Sequence, residues 1–97
     1  MKTIENKETS LLLTEDTKVK YSDLIMTVLS GPVKEGITIP EMRRDLKLYG
    51  IAENAKVGDS MEFTEDEIKH IISLVNAQKW AVKHIDILEF ADYVENV

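Results

Sequence analysis

Residues 64–78 read Thr64-Glu65-Asp66-Glu67-Ile68-Lys69-His70-Ile71-Ile72-Ser73-Leu74-Val75-Asn76-Ala77-Gln78, and this stretch decides the fold class. Thr64 and Glu67 have the spacing of a capping box, in which hydroxyl and carboxylate each take up a free N–H at a helix start. Glu65, Asp66 and Glu67 also place negative charge at the positive end of the helix dipole. Ile68, Ile71, Ile72 and Val75 then recur at i, i+3, i+4 and i+7, the signature of an amphipathic helix facing a core. A helix from about residue 65 to residue 78 is the expectation.

Working back toward the N-terminus, Lys56-Val57-Gly58-Asp59-Ser60 is turn chemistry, and Met61-Glu62-Phe63 alternates as a short strand does. Its natural partner is the alternating stretch 19–21, giving a small two-stranded ribbon. Before the turn, Thr38-Ile39-Pro40-Glu41 is another capping box, with Pro40 in a first turn where its missing N–H costs nothing. Ile39, Met42, Leu46 and Tyr49 form the inner stripe expected of this helix, and Gly50 interrupts or ends it, with residues 51–56 as one further turn. An earlier helix is capped by Ser22, carries Leu24, Ile25, Val28 and Leu29 on one side, and stops at Ser30-Gly31-Pro32. The loop 33–36 follows. In residues 1–16 polar side chains dominate and the only apolar cluster is Leu11, Leu12 and Leu13, so the stretch reads as a mobile tail.

Toward the C-terminus, a connector holds Trp80 and Val82, and a helix over 85–95 puts Ile87, Phe90, Ala91 and Val94 on one face and Asp86, Glu89, Asp92 and Glu95 on the other. The expected architecture is mainly α, a compact domain of four helices over 17–97 with a small two-stranded ribbon. A winged-helix-like arrangement is the alternative.

Composition narrows the function. The 97 residues suffice for one domain, and the formal net charge of −6 weakens any proposal that rests on binding phosphates. There is no cysteine, so disulfides, thiolate metal sites and thiol nucleophiles are all excluded. No apolar run approaches the roughly 20 residues that span a bilayer, and a cytoplasmic protein is expected.

Two surfaces invite a partner. Arg43, Arg44 and Lys47 form the one dense basic group, and a solvated helix face accounts for them as readily as a binding face. The second is the acidic C-terminal part, where Asp86, Glu89, Asp92 and Glu95 suit a basic protein partner as well as ordinary solvation. Trp80 closes the core edge or anchors a partner. Catalysis lacks support: Glu67-Ile68-Lys69-His70 matches one Glu-x-x-His element of a di-metal bundle, but no second copy exists and His70 reads as a surface residue. His84 has no companion ligand in the sequence. The expectation is a non-enzyme with no metal and no cofactor, whose partner is a protein. Apolar Met26, Leu48, Leu74 and Leu88, on the backs of the helices, suggest a homodimer.

Residues 28–46, VLSGPVKEGITIPEMRRDL, resemble the opening of a winged helix-turn-helix domain, with the likeness covering about 24–48. That resemblance implies a DNA-binding regulator. It departs from the pattern where the recognition helix belongs, because residues 51–56 are short and carry one cation and one anion. Tyr21-Ser22-Asp23-Leu24-Ile25, the segment from Gly36 through Arg44, Lys79-Trp80-Ala81-Val82 and the final acidic helix together resemble small accessory proteins of tailed bacteriophages and prophages, over about 18–97. The resemblance implies a bacterial cytoplasm and one of three roles: modulation of a host machine, virion assembly, or control of phage genes.

Overall fold

A computed structural model describes residues 2–12, 15–31, 36–80 and 83–97. In chain order the elements are β1 (Lys2–Glu5), β2 (Glu8–Leu12), β3 (Lys18–Lys20), α1 (Tyr21–Leu29), α2 (Ile39–Glu53), β4 (Ser60–Phe63), α3 (Glu65–Ala77) and α4 (Ile85–Glu95). Four helices dominate as expected, and they are joined by two small antiparallel ribbons rather than one.

Met61 and Phe63 point inward from β4. Their strand is paired with β1, with Ile4 opposite Met61 and Lys2 opposite Phe63. Residues 18–20 pair instead with β2, Glu8 opposite Lys20 and Leu12 opposite Lys18 with an irregularity between. The expected pairing of 19–21 with 61–63 is therefore corrected, as is the mobile tail: Lys2–Glu5 and Glu8–Leu12 are strands. Each strand contributes a single fully inward position, Ile4 in β1 and Thr9 in β2. Backbone pairing, rather than an apolar run, holds them. Leu13 lies outside the described residues.

Asn6, between the two strands, ties both ribbons to the helices. Its backbone N–H donates to the Asp59 carbonyl at 2.8 Å and its carbonyl accepts from Gly58 at 2.9 Å. Gly58 holds a φ of +87°, a conformation open to glycine in the turn leading into β4.

The cap of helix α1 lies two residues before the expected Ser22. Lys20 occupies the cap position, its N–H donated to the Asp23 carboxylate at 2.9 Å. Ser22 is buried within the first turn. At the other end of α1 the Ser30 N–H returns to the Met26 carbonyl, and Pro32 and residues 33–35 lie outside the described residues. Thr38 caps α2 by accepting the Glu41 N–H, and the helix passes through Gly50 to Glu53. The reciprocal box at Thr64 and Glu67 is formed as expected. His84 caps α4, its Nδ1 accepting the Asp86 N–H at 3.1 Å.

Tyr21, Leu24, Ile25 and Val28 of α1 lie at the centre of the core, against Ile68, Ile71 and Val75 of α3, Phe90 and Val94 of α4, and Ile4, Met61 and Phe63 of the β1–β4 ribbon. Tyr21 meets Phe90 edge-on at 4.9 Å between ring centroids and Tyr93 at 5.6 Å. The Tyr93 hydroxyl accepts the N–H of Glu5, fastening α4 to β1. Among the described residues every buried side-chain nitrogen and oxygen has a hydrogen-bond partner, and no helix is long and apolar enough to cross a membrane.

Candidate functional site: the outward face of α2

The core-facing side of α2 is not the one that apolar spacing selects. Leu48 and Ala52 are fully buried, whereas Ile39, Met42 and Leu46 are 58%, 40% and 65% exposed. Of the expected inner stripe only Tyr49 is half-buried. Leu48, counted from sequence among the outward apolar residues, is in the core. Of the others in that group, Met26 and Leu74 pack partly against the core and Leu88 is exposed.

Polar partners explain the rotation. With Leu48 inward, Asp45 turns to α3 and its Oδ1 lies 2.8 Å from His70 Nε2, the two side chains being only 18% and 19% exposed. Lys47 Nζ reaches Glu67 Oε2 at 3.2 Å, and Arg44 Nε lies 3.3 Å from Asp45 Oδ1. Burial pushes the Glu67 carboxyl up, but the Thr64 N–H and the Lys47 ammonium outweigh it and hold its pKa below the usual carboxylate range. Turning Ile39, Met42 and Leu46 inward would break this seam and carry Leu48 and Ala52 out of the core.

The basic group of the sequence is thereby divided. Arg44 and Lys47 face carboxylates of the chain itself, and exposed Arg43 stands among Ile39, Met42 and Leu46. His70 is a half-buried partner of Asp45 rather than a surface histidine. Among the described residues no three His, Asp or Glu side chains converge as a metal site would require.

The acidic helix is divided as well. Asp86 Oδ2 accepts the N–H of Ser10 at 2.7 Å and its hydroxyl at 2.5 Å, so this carboxylate fastens β2 to α4. The Ser10 hydroxyl and N–H outweigh a small burial effect, and nearby His84 adds to them, so the Asp86 pKa is lowered. Glu89, Asp92 and Glu95 are exposed, with Glu95 also accepting from Asn76 at 3.4 Å. Trp80 is half-buried against the core beyond the end of α3. An open depression between β1 and the end of α4 is lined by Lys2, Thr3, Asp92, Tyr93, Asn96 and Val97. It gathers no set of groups suited to activating a nucleophile.

On an ideal helix Ile39, Arg43 and Leu46 fall on one line, the pattern by which a helix presents anchors to a second helix. No family model, curated protein or solved structure matches this chain.

Proposed function

We propose that the protein is a non-enzymatic accessory protein that works by binding another protein through the outward face of α2. One observation carries the reading: Ile39, Met42 and Leu46 are exposed along a single helix although the core beneath is filled and its polar groups are paired. Contiguous exposed apolar side chains rimmed by polar residues are the usual mark of a protein contact surface. The partner that fits is an amphipathic helix whose apolar residues cover the stripe and whose carboxylate meets Arg43.

The resemblance to tailed-phage accessory proteins supplies the setting: a bacterial cytoplasm, with modulation of a host machine or assistance in virion assembly as the role. Exposed Glu89, Asp92 and Glu95 would add long-range attraction to a basic partner. Regulation by DNA binding draws on the same three cations, and two of these are engaged within the chain.

A photo-crosslinking side chain placed at Leu46, compared with one at exposed Lys69 on α3, tests the reading. Protein adducts specific to position 46 are expected; equal labelling at both positions, or none at either, would overturn it. Fluorescence polarisation against duplex DNA at low salt reads the rival. Salt-sensitive binding lost in Arg43→Ala/Arg44→Ala/Lys47→Ala would replace protein binding with DNA binding.

A further inference from the structure

Gly50 sits inside α2 with open space around it: a Cβ there would meet nothing within 4 Å. A glycine in a helix interior costs about 0.5–1 kcal/mol relative to alanine. No neighbour among the described residues requires it. On an ideal helix at 100° per residue, Ile39, Arg43, Leu46, Gly50 and Glu53 fall within an arc of about 80°, on the side opposite buried Leu48. Arg43 and Glu53 are both exposed on that arc.

The order of these residues is self-complementary. If a second α2 is laid antiparallel on the first, with the two-fold axis level with the midpoint between Leu46 and Gly50, each Leu46 comes level with the Gly50 of the other copy. In the same register Arg43 comes level with Glu53, and Ile39 with exposed Val57 just past the helix end. Ile39, Arg43, Leu46 and Glu53 then each meet a group of suitable size or sign, Leu46 against the bare glycine surface, while Met42 at the flank of the arc comes level with Asn54. An unrelated partner would need to match a cation at one end of the stripe and an anion at the other; a second copy does so by symmetry.

We infer that the amphipathic helix this face receives is α2 of a second copy of the chain, giving a two-fold symmetric, antiparallel dimer. The inference rests on the binding role proposed above and names its partner. A single helix face lies below the roughly 1,200 Å² of total buried area typical of stable complexes, so the dimer is weak and concentration-dependent.

Sedimentation equilibrium of the full chain over a concentration series to about 1 mM, the range in which such small interfaces associate, provides the test. The expected mass rises from the monomer's 11.1 kDa toward twice that value. Arg43→Glu and Glu53→Arg are each expected to weaken association about tenfold, and the double variant to recover to within about threefold of wild type. Leu46→Glu should remain monomeric. All three positions are exposed, and circular dichroism checks that the variants stay folded. A wild type that stays at the monomer mass, singles that associate normally, or a double variant that does not recover would overturn the dimer. A monomeric wild type whose position 46 still crosslinks to a different protein would overturn the dimer and leave the binding role standing; loss of both would overturn both.

Discussion

The side-chain oxygen of Asn6 accepts the backbone N–H of Ser22 at 2.9 Å, so a residue between two strands satisfies a free donor in the first turn of α1. The neighbouring Tyr21 N–H donates to the Lys7 carbonyl. The Asn6 amide nitrogen meanwhile donates to the carbonyls of Ala55 and Lys56 at 3.3 and 3.1 Å. One buried amide therefore joins the helix start, the end of α2 and the entry to β4.

Asn6→Ala leaves the Ser22 N–H and two carbonyls without their partner where Asn6 itself is fully buried. Unpaired buried groups cost about 1–3 kcal/mol each, partly offset by entering water. A loss of about 2–4 kcal/mol is expected in urea unfolding, with the slope unchanged. A loss below about 0.5 kcal/mol, the range of ordinary surface substitutions, would show that the node is not structural.

Leu48→Ala and Leu46→Ala separate the two faces of α2. The first removes a fully buried side chain and should cost about 2–5 kcal/mol. The second removes an exposed one and should stay within about 0.5 kcal/mol of wild type. Equal losses would mean that α2 is rotated from the orientation described.

Gly50→Ala should stabilise the monomer by about 0.5–1 kcal/mol, because the helix gains propensity and the added methyl meets nothing among the described residues. Thermal unfolding at dilute concentration reads this, and a destabilised variant would show an intramolecular neighbour at that position.

Acid should weaken the fold through Asp86 and Glu67, whose pKa values are both lowered in the folded chain. A lowered folded pKa gives stability that is present above the unfolded value of about 4 and is lost as pH falls through the folded one. Asp86→Asn removes one of these groups together with its charged acceptor for Ser10. The variant should be less stable than wild type at pH 7 and lose less between pH 4 and pH 2. Parallel stability curves for the two proteins would place the acid sensitivity elsewhere.

What could be read from the sequence follows from how far apart the deciding partners lie. Helices α3 and α4 were legible because cap, charge and apolar stripe all fall within one segment: Thr64 with Glu67 ahead of Ile68, and Ile87, Phe90 and Val94 at helical spacing. The orientation of α2 was not. Its larger apolar stripe points outward, and the side that packs is chosen by Asp45 and Lys47 meeting His70 and Glu67, residues 25 and 20 positions away. The N-terminal strands were missed because each turns only one side chain fully inward, too few to show a period. Asn6 carried no local signal, since its partners Ser22 and Lys56 stand 16 and 50 positions along the chain. The candidate site was half legible: its residues were named, Ile39, Met42 and Leu46 as core and Arg43 as surface, but the structure joins them on one face.

The closure of both termini on one another has a consequence for biosynthesis. Glu5 bonds to Tyr93 across 88 positions and Ser10 to Asp86 across 76, so during translation β2 finds its mate β3 at once, β1 waits for β4, and the ties of both to α4 come last. Contacts this distant in sequence form slowly and late. The backbone edge of β1 must therefore be kept from other chains until β4 is made, a task suited to the charged Lys2 and Glu5 at the two ends of that strand.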